Sequence, residues 1–201
     1  MNREMYIAAS TGVLSFFEKL KASDTTLLQV TTEKNNVLHI AVQFNKYEVA
    51  KKIICLCRCL AEQTNSKGNI PLHVAVRVEN PQMVRFLINH AEDRDVETGV
   101  RQLPRIVNLE RDTALHIAVK YGNSEVVKEL IKEDSKLAMY VNKAGESALF
   151  LAVDKQLYGI ASHILCAAPK CSYARRHSMN VLHALVLQTS SCKCCSIQSA
   201  P

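Results

Sequence analysis

The chain has 201 residues, 48% of them hydrophobic and 22% charged, a balance that fits a folded globular chain and excludes a disordered tail, a collagen and a mucin. The net charge of +6 is spread from Arg3 to Lys193 among interleaved acids, and the densest patch, Arg175-Arg176-His177, is short, which argues against nucleic acid as a partner. The longest stretches free of Lys, Arg, Asp and Glu, Gln156–Pro169 and His177–Cys192, fall short of the ~20 apolar residues of a membrane span. The N-terminus carries no leader pattern, so a cytoplasmic chain is expected.

Taken in chain order, one short pattern returns six times. It opens in degenerate form as Met5-Tyr6-Ile7-Ala8-Ala9, then reads Leu38-His39-Ile40-Ala41-Val42, Leu72-His73-Val74-Ala75-Val76 and Leu115-His116-Ile117-Ala118-Val119. Leu149-Phe150-Leu151-Ala152-Val153 and Leu182-His183-Ala184-Leu185-Val186 follow. Successive openings are 33, 34, 43, 34 and 33 residues apart, so one period explains the chain with a single insertion between Asn89 and Val107. Ten or so residues after each opening comes a second apolar group: Val49-Ala50 with Ile53-Ile54, Met83-Val84 with Leu87-Ile88, Val126-Val127 with Leu130-Ile131, and Ile160-Ala161 with Ile164-Leu165. That spacing places one stripe on an α-helix. Each unit is thus expected to be a short helix, a tight turn and an antiparallel second helix. The expected division is a degenerate first repeat over 1–30, repeats over 31–64, 65–107 (with the insertion), 108–141 and 142–174, a partial last repeat over 175–190, and a Cys- and Ser-rich tail over 191–201.

The approach to each first helix is also regular. Asn65, Asn108 and Asn142 stand seven residues before the opening Leu, and Gly68 and Gly145 four before it; both types tolerate φ > 0 and favour a β-turn. Asn36, Thr113, Ser147 and Asn180 are suited to cap the helix that follows, and Pro71 to its first turn, whereas Ile70 is a poor cap.

With these residues in phase, the chain resembles the ankyrin-repeat family, whose 33-residue unit carries Thr-Pro-Leu-His-x-Ala after a β-turn. Ile70-Pro71-Leu72-His73-Val74-Ala75 and Thr113-Ala114-Leu115-His116-Ile117-Ala118 carry the likeness most fully. Leu130–Asp134, Val141–Val153 and Asn65–Ala75 resemble, more narrowly, the plant ankyrin proteins of the accelerated-cell-death and salt-tolerance type, which join such repeats to a membrane domain this chain does not show. The resemblance implies an all-α solenoid of stacked helix-turn-helix units with β-turn fingers. It implies a non-catalytic protein-interaction scaffold in plant defence or stress signalling, without cofactor, in the cytoplasm or at the cytoplasmic face of the plasma membrane.

It also assigns roles to positions. The small Ala41, Ala75, Ala118 and Ala152 let helices approach, and His39, His73, His116 and His183 hydrogen-bond the backbone of a neighbouring repeat, with Phe150 standing in once. Partners are other proteins, bound on the concave face and the fingers. The fingers are Asn65–Asn69, Asn108–Asp112 and Asn142–Glu146, with Asn65, Lys67, Asn108, Arg111, Asn142 and Lys143 as contacts. The first helices end in Gln43-Phe44, Arg77-Val78, Lys120-Tyr121 and Asp154-Lys155, where Phe44 and Tyr121 are the candidate anchors.

No catalytic constellation emerges: Gly-x-Ser-x-Gly, a phosphate-binding glycine loop and His-Glu-x-x-His are all missing. Eight cysteines lack zinc-finger spacing, so no metal is expected. Cys55, Cys57 and Cys59 read as small buried hydrophobes of a second helix. A competing reading makes Cys192, Cys194 and Cys195 of the tail a metal- or redox-responsive element of an adaptor.

Overall fold

Ten α-helices make up the core of the computed structural model, which describes residues 1–22, 24–90 and 103–168. They pair as α1 (Arg3–Thr11) with α2 (Leu14–Glu18), α3 (Val37–Gln43) with α4 (Tyr47–Leu56), α5 (Pro71–Arg77) with α6 (Pro81–His90), α7 (Ala114–Lys120) with α8 (Ser124–Glu133), and α9 (Ala148–Asp154) with α10 (Tyr158–Ala167). Among the described residues the only extended pairing is an isolated bridge between Val141 and Ser147. The partial last repeat, with Asn180 and His183, and the tail cysteines lie outside the described residues.

The first helices stack in one layer, α1 on α3, α3 on α5, α5 on α7 and α7 on α9. The second helices form another, with α2 on α4, α6 on α8 and α8 on α10, and the Tyr47 and Phe86 rings, 5.1 Å apart, join α4 to α6. The core runs the length of the stack rather than gathering at one centre. Ala41, Ala75, Ala118 and Ala152 are fully buried between first helices, where a larger side chain would force the layers apart. The second-helix stripe is buried at every expected position but Leu165, which stays 38% exposed on the last described helix.

Local signals explain the helix boundaries. The Oδ1 of Asn36 accepts from the His39 N–H at 3.0 Å, and Ser147 Oγ from the Phe150 N–H at 3.1 Å. Thr113 differs from expectation: its hydroxyl lies 2.9 Å from His116 Nδ1, so it serves the histidine ring instead of a free backbone N–H. The cysteine expectation is also corrected. Helix α4 ends at Leu56 because Cys57 turns extended, with φ −153° and ψ 95°, and Cys59 lies on the separate 3-10 turn Arg58–Ala61. Cys55 and Cys59 are exposed, and Cys57 is half-buried and packs against the edge of the core, so none of the three is a fully buried core residue.

Candidate functional site

Between each second helix and the next first helix the chain projects a five-residue finger. A β-turn closes each one, with Lys34 N–H donating to Thr31 O at 2.8 Å, Gly68 to Asn65 at 2.9 Å, Arg111 to Asn108 at 2.8 Å and Gly145 to Asn142 at 3.0 Å. The donor residue takes positive φ in every case: 56° at Lys34, 72° at Gly68, 58° at Arg111 and 76° at Gly145. The finger Thr31–Asn35 escaped the sequence reading because Thr31 and Lys34 occupy the Asn and Gly positions. Its one signal was the spacing, seven residues before Leu38.

The fingers are tied to one another. Asn65 Oδ1 accepts the N–H groups of Lys67 and Asn69, Asn108 those of Glu110 and Asp112, and Asn142 those of Ala144 and Glu146. Each amide then donates back to the preceding finger: Asn65 Nδ2 to Asn35 Oδ1 at 2.9 Å, Asn108 to Asn69 at 3.0 Å, and Asn142 to Asp112 at 3.2 Å. Backbone bonds run alongside, from Ser66 N–H to Glu33 O, Leu109 to Lys67 and Lys143 to Glu110. The expected contacts Asn65, Asn108 and Asn142 are thus placed within this ladder, Asn65 and Asn108 half-buried. Asn142 Nδ2 donates a second time, to Glu146 Oε2 at 3.0 Å, and Asn142 is only 5% exposed. The finger cations Lys67, Arg111 and Lys143 do remain exposed.

The ends of the first helices lie across from this ladder. A cavity of about 360 Å³ is lined by Tyr6, Ile40, Gln43 and Arg77 on the helix side and by Thr32, Glu33 and Lys67 on the finger side. Phe44 is 42% exposed and Tyr121 50%. The Phe44 ring meets that of Tyr6 edge-on at 6.5 Å, so it covers part of the neighbouring repeat and still presents apolar surface. Gln43, Asp154 and Lys155 are exposed, and Arg77 and Val78 half-buried. Lys120 is less available than its position suggested, because its Nζ lies 2.5 Å from Asp112 Oδ2.

The histidines brace the junctions. His39 Nδ1 accepts the Asn36 N–H at 3.3 Å, which leaves Nε2–H to donate to Asn69 O at 2.8 Å. His116 repeats this with Thr113 N–H at 3.3 Å and Glu146 O at 3.1 Å. An acceptor at one ring nitrogen and a donor at the other assigns the neutral Nε2–H tautomer to His116, where the Thr113 hydroxyl also meets Nδ1, while His39 Nδ1 lies closer still, 2.8 Å, to Asn36 Oδ1. His73 departs from its expected role. Its Nδ1 accepts the Ile70 N–H at 3.1 Å, but Nε2 is buried without a hydrogen bond. Asp112, in the same place on its finger as Asn69 and Glu146, follows His73 by 39 residues where they follow their histidines by 30, and its carbonyl and that of Ile106 lie near the ring without closing a hydrogen bond.

Burial pushes His39 down to about 4, with the Asn69 carbonyl pulling the other way. His73 also falls to about 4 through burial, partly offset by the Asp112 charge, and burial lowers His116 too. All three are therefore neutral braces near pH 7, poorly placed for proton transfer. Among the described residues no three His, Cys, Asp or Glu side chains gather as a metal site, and no helix is long and apolar enough to cross a membrane.

The family model for ankyrin repeats matches residues 5–99 and 96–177. The chain belongs to the ankyrin-repeat family. It is 28% identical over 160 residues to Protein ACCELERATED CELL DEATH 6 of Arabidopsis thaliana, a match covering 77% of this chain and 24% of that protein. Against the B-cell lymphoma 3 protein homolog of Mus musculus it is 25% identical over 195 residues, covering 82% of this chain and 44% of the other. Against the transient receptor potential cation channel subfamily A member 1 homolog of Caenorhabditis elegans it is 23% identical over 154 residues, covering 66% and 13%. The chain spans less than half the length of each of these three relatives. Ankyrin arrays are protein-interaction modules and typically not enzymes, so the groove is read as an interaction surface.

Proposed function

We propose that this array captures a protein partner in the groove between its fingers and the ends of its first helices, as part of plant defence or stress signalling at the cytoplasmic side of a membrane. The signalling context rests on the likeness to Protein ACCELERATED CELL DEATH 6. The groove rests on one observation: a cavity of about 360 Å³ joins Gln43 and Arg77 at first-helix ends to Glu33 and Lys67 of the fingers, and Phe44 and Tyr121, at equivalent helix ends, keep 42% and 50% of their surface exposed. A rigid aromatic loses little conformational freedom on contact and makes a strong anchor. The fingers expose Lys34, Lys67, Arg111 and Lys143 against Glu33 and Glu110, a cationic excess that favours an acidic partner.

The test starts by identifying the partner through proximity labelling in plant cells, then measures its affinity for the purified array. Phe44→Ala and Tyr121→Ala are each expected to weaken binding about tenfold with an unchanged melting temperature. Unchanged affinity in the double variant removes both side chains from the contact.

A further inference from the structure

The turn that follows α4 brings two sulfur atoms together outside the groove. Cys57 ends the helix, its N–H still bonded to Ile53 O at 2.8 Å. The chain then coils into the 3-10 turn Arg58–Ala61, which folds Cys59 back until its Sγ lies 2.7 Å from that of Cys57. Cys59 is exposed and Cys57 half-buried, so a small molecule in solution reaches the pair. The same turn braces the array: Leu60 O accepts from Asn36 Nδ2 at 2.8 Å, and Asn36 caps α3.

We propose that Cys57 and Cys59 form a redox pair that closes into an intrachain disulfide around Arg58 when it meets a small-molecule disulfide of the glutathione class. Closure shortens the sulfur–sulfur distance by only about 0.7 Å. In the first step the Cys57 thiolate attacks one sulfur of oxidised glutathione, forming a mixed disulfide and expelling a glutathione thiolate. In the second, Cys59 gives up its proton and attacks the Cys57 sulfur, expelling the second glutathione thiolate. Two protein thiols are oxidised to one disulfide, one small disulfide is reduced to two thiols, and the two protons released go to the two departing thiolates. The hydrogen bond to Cys57 pushes the Cys59 thiol up to about 11, which keeps Cys59 protonated and assigns it the second step. Cys55, one residue before the helix ends, points its thiol into solvent as a free group and is the natural internal control.

The position of Arg58 makes the product easy to read, because trypsin cuts after Lys52, Arg58 and Lys67. The full chain is equilibrated with oxidised and reduced glutathione, blocked with N-ethylmaleimide, unfolded, digested and weighed without reductant. The expected product joins the segments 53–58 and 59–67, two hydrogens lighter than the reduced pair, and disappears on adding dithiothreitol. It persists in Cys55→Ser and is lost in Cys57→Ser and in Cys59→Ser, each variant being checked for native helix content by circular dichroism. The equilibrium constant for closure is expected to be at least tenfold larger in the folded chain than in urea. Recovery of glutathione adducts on separate segments overturns the proposal. So does a cross-link that survives Cys57→Ser, or a constant unaffected by urea.

Discussion

Two junctions in this array are built from the same parts and close differently. Where the repeat length is regular, His39 and His116 each span from a helix start to the carbonyl of the next finger, at 2.8 and 3.1 Å. Where the insertion intervenes, His73 keeps its bond to Ile70 but its Nε2 finds no acceptor. The finger ladder is nonetheless intact there, since Asn108 still reaches Asn69 and Leu109 still bonds Lys67. The fingers on either side of the insertion therefore keep their register. A repeat array tolerates an insertion if its stacking contacts survive, because each unit answers only to its neighbours.

The largest effect tests both kinds of junction at once, through pH. His39 and His73 titrate near 4 in the fold against about 6.5 in an unfolded chain. The folded state thus binds fewer protons, and the stability these groups contribute is complete above about pH 6.5 and is lost as pH falls toward 4. At pH 5 the loss is on the order of 2 kcal/mol for each of the two, with His116 shifted in the same direction. Urea unfolding at pH 7 and pH 5 measures it. Equal midpoints at the two pH values contradict the buried neutral histidines.

A smaller effect separates the finger from the inter-helix turn. Gly68 in a finger and Gly122 between α7 and α8 share a φ of 72°, so an alanine meets the same backbone strain of about 1 kcal/mol at either place. Their surroundings differ. A Cβ on Gly68 would lie 2.6 Å from the Leu109 backbone nitrogen, which belongs to the ladder, whereas one on Gly122 would meet only the Leu157 side chain at 3.8 Å. Gly68→Ala is expected to cost about 3 kcal/mol and Gly122→Ala about 1 kcal/mol, read from thermal or urea unfolding. Similar costs would mean that the fingers yield freely and the ladder is not a constraint.

Much of the fold was legible because Leu-His-x-Ala and the paired apolar positions recur in phase, and periodicity reports burial directly. The first finger was hidden because Thr31 and Lys34 replace the residues that signal a turn, although Lys34 adopts the same positive φ as Gly68. The role of Asn65, Asn108 and Asn142 was hidden for another reason. Each amide is satisfied by a residue some 30 to 40 positions away, and a motif read within one repeat shows only its local half. Cys57 and Cys59 looked like core because apolar neighbours surround them and no Gly or Pro marks the end of α4. The exposure of Phe44 and Tyr121 depends on which side chains the next repeat brings alongside, which composition does not report.

The finest test asks whether the missing bond at the insertion has an energetic counterpart. Leucine at position 39 or 73 removes a ring nitrogen that accepts the N–H of the capping residue, so both variants share that loss. His39→Leu also strips the Asn69 carbonyl of one of its two donors, leaving the Asn65 N–H at 3.0 Å, and losing one hydrogen bond costs about 1 kcal/mol. His73→Leu strips no carbonyl of a bond and relieves a buried, unpaired nitrogen. The first variant is thus expected to be less stable than the second by about 1 kcal/mol at pH 7. Equal losses would show that the Asn69 bond adds nothing, and the regular junctions would then hold by helix stacking and the finger ladder alone. The difference should persist in acid, because each variant keeps one buried histidine that falls to about 4 in the fold, and both lose a similar amount as pH drops. A gap that changed between pH 7 and pH 5 would show instead that the two remaining rings do not titrate alike in the fold.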